Sequence, residues 1–191
     1  MKLEEAKQLL NMNGYILEEK ISDNKIDLSI IDKWMPTNLN LTDEGLNEDH
    51  WIDKKTGEVY YTWDAAVRFA KKVPGYHLPS PKEWYKLLEA CGCIGEKNDP
   101  VIVYEDMPPA VGKCYDNLDY FKNKLGIKYI GRFSRQVYGI RNVGDYVSFW
   151  TSYDNNDRAW LIQLWNRYNG GKLFTETDYK ENGLSVRLVK D

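Results

Sequence analysis

The chain has 191 residues, which suits one domain plus an appendage and is short for two full domains. Lys and Arg number 26 against 29 Asp and Glu, a net charge of −3, so the basic footprint of a nucleic-acid binder is excluded. No apolar run is long enough to cross a membrane as a helix.

Residues 1–14 lack a basic region followed by an apolar run, so no signal peptide is read and synthesis in a cytoplasm is expected. Residues 2–11 have the spacing of a short amphipathic helix, with Leu3, Ala6, Leu9 and Leu10 on one face and Asn13-Gly14 as its stop. Residues 15–21 and 26–31 read as strands around a turn at 22–25. Residues 32–58 read as irregular, closed by an Asp53 to Glu58 turn. A helix is expected over 63–72, with Thr62 as N-cap and Pro74-Gly75 as its end. A second opens on Ser80-Pro81-Lys82-Glu83, a capping box with Pro in the first turn, and runs to Gly92. An extended link, Tyr76-His77-Leu78-Pro79, joins the two helices. Residues 93–126 read as loop, with a short helix at 118–125. Strands are expected at 148–151, 160–165 and 184–189, with a turn at Gly170-Gly171. The 160–165 strand alternates Trp160, Ile162 and Leu164 with Leu161, Gln163 and Trp165, as if one face were free. In the last strand Leu184, Val186 and Leu188 should point inward, and Ser185 and Arg187 outward.

Three groups of residues resemble a known family. They are Trp34-Met35-Pro36-Thr37-Asn38-Leu39, then Tyr61-Thr62-Trp63-Asp64-Ala65-Ala66, then Tyr76-His77-Leu78-Pro79-Ser80-Pro81-Lys82-Glu83-Trp84. With Ser148-Phe149-Trp150-Thr151-Ser152, Ala159-Trp160 and the closing Gly183 to Asp191 run, they are similar in order and kind to the Fibrobacter succinogenes major paralogous domain. The resemblance covers about residues 29–191. It implies an α+β, C-type lectin-like domain of two helices and short antiparallel strands, with a separate helix and hairpin appendage at residues 1–28. Trp84 and Trp150 would be core anchors.

The chemistry points away from catalysis. Cys91, Cys93 and Cys114 are an odd count, against a disulfide framework. Cys91 and Cys93 with His77 have poor zinc spacing, so Cys91 is read as a buried helix residue and no metal or cofactor is expected. Formylglycine-generating enzymes share the wider fold but need a late cysteine pair, and no cysteine follows Cys114. Sugar-binding C-type lectins use a Trp-Asn-Asp. Here Trp165-Asn166-Arg167 replaces it, and a cation cannot ligate calcium. With His50 and His77 as the only histidines, a nucleophilic triad has few bases.

The richest surface candidate is Tyr153, Asp154, Asn155, Asn156, Asp157 and Arg158, followed by Trp165, Asn166, Arg167, Tyr168 and Asn169. Such residues offer rigid area and adaptable hydrogen bonds, although loops also carry them for turn chemistry. The expectation is a non-catalytic binding and assembly module, displayed on a bacteriophage virion as a fibre or decoration protein and meeting a host glycan or protein. Leu3, Ala6, Leu9 and Leu10 would dock residues 1–28 onto other virion proteins, and a homo-oligomer is expected. An isolated short helix is marginal in water without such a partner. A cytoplasmic structural or interaction protein without a ligand is the first alternative, and an oxidase resembling the formylglycine-generating enzymes, disfavoured by the cysteine pattern, is the second.

Overall fold

The computed structural model describes residues 28–43, 48–90, 122–166 and 172–191. The chain begins with a 3-10 turn, Leu28–Lys33, and β1 (His50–Ile52) and β2 (Val59–Tyr61) form a hairpin. Helix α1 (Trp63–Ala70), β3 (Tyr76–His77) and helix α2 (Pro81–Ala90) follow. After them come β4 (Arg132–Ser134), β5 (Gly139–Arg141), β6 (Tyr146–Asn155), β7 (Arg158–Trp165), β8 (Lys172–Tyr179) and β9 (Val189–Lys190). β3 pairs with β9, β4 with β5, and β6, β7 and β8 form an antiparallel sheet in that order. The molecule is therefore α+β, and among the described residues no helix is long and apolar enough to cross a membrane.

Both helices start where their capping residues dictate. Thr62 Oγ1 accepts the Ala65 N–H at 3.2 Å, and Asp64 lies in the positive first turn. Ser80 Oγ accepts the Glu83 N–H at 3.2 Å, while Glu83 Oε2 accepts the Ser80 N–H at 2.8 Å, a reciprocal capping box. The turn after β1 is held by Asp53, which accepts from the Lys55 N–H and the Thr56 hydroxyl, while Gly57 takes a φ of 73°.

The core has two parts, one on each face of β6 and β7. Adjacent strand residues point to opposite faces. Phe149, Ile162 and Leu164 pack with Trp84, Leu87 and Leu88 of α2. Trp150, Ala159 and Leu161 pack with Ala65, Ala66 and Phe69 of α1. Trp84 and Trp150 are fully buried, as expected of core anchors. Trp34 bridges to Val189, so the two ends of the 29–191 region meet.

Several sequence expectations are corrected. Residues 28–31 belong to the 3-10 turn and not to a strand, because Ile31 and Trp34, three apart, bury on one side. Residues 50–52, read as irregular, form β1. The 160–165 strand has no free face: β7 is the central strand, and residues 161–164 are all buried. The 184–189 segment is ladder-paired only at Val189–Lys190, and Ser185 and Arg187 are fully buried. That segment runs between Tyr61 and Phe149, bridging to Tyr61 through Leu184 and to Phe149 through Ser185, with core on both faces. Residues 122–124, at the end of the 118–125 segment, are helical. The elements read at 2–11 and 15–21, the turns at 22–25 and 170–171, and Cys91, Cys93 and Cys114 lie outside the described residues.

Candidate functional site

The β6–β7 hairpin turns at Asn156, which takes a φ of 56°, a conformation asparagine tolerates better than most residues. The register of β6 shifts between Trp150 and Asp154. Tyr153, inside this bulge, stands 45% exposed. Beside the hairpin tip lies an open groove of about 680 Å³, lined by Asp49, Thr62, Asp64, Asp157, Tyr179, Lys180 and Glu181.

Three backbone hydrogen bonds fix the walls of the groove. The Lys180 N–H donates to Asp157 O at 3.0 Å, the Trp63 N–H to Lys180 O at 2.9 Å, and the Thr62 N–H to Asp49 O at 2.9 Å. They tie the hairpin tip, the end of β8 and the start of α1 into one frame.

The charges divide into committed and uncommitted groups. Lys180 is committed, with Nζ 2.5 Å from Asp154 Oδ2 and 4.5 Å from the centre of the Trp63 ring. Asp49 is committed too, accepting from Arg68 at 2.8 Å and facing His50 Nδ1 at 2.9 Å. Partial burial works against its ionised form, but those hydrogen bonds outweigh it and hold the carboxyl below its usual value. Asp64 and Asp157 have no side-chain partner among the described residues, while the Glu181 carboxylate interacts with the charge of Arg135 without a direct hydrogen bond.

Strand β7 separates the residues expected to bind. Arg158 and Trp165 are its two ends, seven residue steps and roughly 23 Å apart at strand rise. The Tyr153 to Arg158 group and the Trp165 group therefore form no single face. Arg158 is spent on the sheet: Nε and Nη2 donate to Thr177 Oγ1 and O at 2.9 and 2.8 Å, and the guanidinium lies over the Tyr179 ring. Trp165 packs on Tyr146 and donates Nε1 to Gln163 Oε1, whose amide nitrogen donates to Ser148. Asn166 donates to Gly144 O at 3.1 Å. Asp154 serves Lys180, Asp157 lines the groove, and Asn156 is exposed at the tip. Arg167, Tyr168, Asn169 and residues 1–27, including Leu3, Ala6, Leu9 and Leu10, lie outside the described residues, as does the side chain of Asn155.

Sequence reading missed Asp49, Thr62, Asp64, Tyr179, Lys180 and Glu181 as groove residues. The last three arrive with strand β8 and the turn after it, which the sequence does not announce. The β7–β8 register pairs Arg158 with Tyr179, so extending it by one step sets Lys180 opposite Asp157.

The histidines are engaged elsewhere. The His50 ring packs against Tyr61 and Phe69, and His77 lies between Glu83 and Asp191. Among the described residues no cluster of three or more His, Cys, Asp or Glu side chains is placed to hold a metal ion. Set against known proteins, the chain matches no family model, no curated sequence and no solved structure.

Proposed function

We propose that this chain is a non-catalytic binding and assembly module of C-type lectin-like architecture. Its ligand enters the groove beside the β6–β7 tip. One observation carries this reading: Asp64 and Asp157, without side-chain partners among the described residues, and Glu181, with no side-chain hydrogen bond among them, line an open groove whose backbone walls are tied together. Carboxylates free of partners accept hydrogen bonds from ligand hydroxyls, and the half-exposed Tyr153 and Tyr179 rings supply rigid apolar area close by. A hydroxyl-rich ligand such as a host-surface glycan fits that chemistry best. The setting proposed is a virion surface, with residues 1–28 attached to other virion proteins. That part rests on the sequence resemblance.

A glycan array with purified chain, beside Asp157→Asn/Glu181→Gln and Trp165→Phe variants, tests the ligand. The groove variant is expected to lose at least tenfold in signal at an unchanged melting temperature, while Trp165→Phe keeps it. A blank array for the unaltered chain overturns the glycan reading, and full signal from the groove variant overturns the groove. Density-gradient fractionation of the native source tests the setting. Co-migration with phage particles at fixed copy number supports it. Recovery only in the soluble cell fraction replaces it with a cytoplasmic interaction protein.

A further inference from the structure

β3 and β9 make one of the shortest ladders in the fold, pairing Tyr76 with Lys190 and His77 with Val189. One more backbone bond extends it, from the Asp191 N–H to Gly75 O at 3.1 Å. The His77 ring stands between two carboxylates. Nδ1 is 2.8 Å from Asp191 Oδ1, and Nε2 is 2.8 Å from Glu83 Oε1. A neutral imidazole has one N–H and one lone pair, so it can donate to only one of them. Its other nitrogen would then set a lone pair against a carboxylate oxygen. Only the imidazolium satisfies both contacts.

We propose that His77 is a protonation-dependent clasp: its imidazolium fastens the end of β9 to the start of α2, and loss of the proton frees Asp191 and frays the β3–β9 ladder at its outer end. The arm that yields is the Asp191 arm. Glu83 is held independently, since its other oxygen accepts the Ser80 N–H and hydroxyl at 2.8 Å each. The Asp191 side chain is 64% exposed, and His77 is the one side chain it bonds among the described residues. Fraying stops at Val189, which is buried and bridged to Trp34.

The charged groups that meet the ring are Glu83 on α2 and Asp191 just after β9, and the titratable residues next to them and to His77 in the chain are Lys82, Lys190 and Tyr76. Partial burial opposes the charged ring, but the bonds to Asp191 and Glu83 outweigh it and raise the pKa of His77 above 6.5. With both carboxylates ionised, the clasp therefore closes as the pH falls through the raised value of His77 and opens as it rises through it.

Nitrogen-15 NMR of the full chain from pH 5 to 9, with amide exchange at Asp191 and Leu184, tests this. Expected are two protonated ring nitrogens below the transition and a His77 pKa above 6.5. Asp191 exchange, corrected for its intrinsic pH dependence, should rise about threefold across the transition, the size typical of exposed ion pairs. Leu184 should not respond. Asp191→Asn should abolish the step, and Glu83→Gln should move it to lower pH. A His77 pKa at or below 6.5, or an unchanged step in Asp191→Asn, overturns the clasp.

Discussion

Arg187 is fully buried, and among the described residues no carboxylate makes an ion pair with it. Its guanidinium donates to Met35 O at 2.8 Å and to Asn38 Oδ1 at 2.7 Å, and it faces the Phe149 ring at 5.7 Å. Burial pushes its pKa down to about 10, with Glu58 partly opposing the shift. Asn38 in turn donates to Glu58, which also accepts from Lys128, so one buried cation organises the loop around 35–38. Arg187→Ala strips the partly buried Met35 O and Asn38 Oδ1 of their donor and leaves a void where the buried side chain stood. It should cost about 3 kcal/mol in urea unfolding, since an orphaned buried polar group costs roughly 1–3 kcal/mol. A cost below about 1 kcal/mol would mean that water replaces the guanidinium. The alternation Leu184-Ser185-Val186-Arg187-Leu188 reads as a strand with one wet face. It misleads because a period of two reports which residues share a face, not whether the other face is covered.

At the scale of elements, strand β8 explains why part of the site was illegible. Thr175, Glu176, Thr177 and Asp178 look like loop by composition, yet they pair residue for residue with β7. Capping chemistry, by contrast, is written in single residues, and so Thr62, Ser80 and Glu83 could be placed from the sequence alone. In the β7–β8 ladder the Asp157 and Lys180 positions are hydrogen-bonded across, so three steps on the backbone of Thr177 points to the open edge. Arg158 reaches over and occupies that carbonyl, closing part of an edge that could otherwise recruit a foreign strand. Arg158→Ala should cost about 1 kcal/mol in denaturant unfolding, the worth of its lost hydrogen bonds and ring contact. It should also leave groove binding within about twofold. Lost binding at unchanged stability would return Arg158 to the ligand.

At the scale of the molecule, two cores share one pair of strands. Phe149 and Trp150 are neighbours in sequence, yet each belongs to a different core, the first closed by α2 and the second by α1. The sequence marks Trp150 as a core anchor, but which helix it and Phe149 each meet depends on long-range pairing that local pattern does not carry. Sharing β6 and β7 also has a thermodynamic consequence. Neither helix can leave without exposing one face of strands whose other face the second helix needs. The described domain should therefore unfold in one step, with tryptophan fluorescence and far-ultraviolet circular dichroism giving the same midpoint. Trp84→Leu weakens only the α2 core. The missing ring volume should cost about 2–4 kcal/mol. Because the strands are common, both probes should shift together and the denaturant slope should stay the same. If fluorescence and dichroism separate in that variant, the α1 core outlives the α2 core, and the two faces of β6–β7 are independent units rather than one.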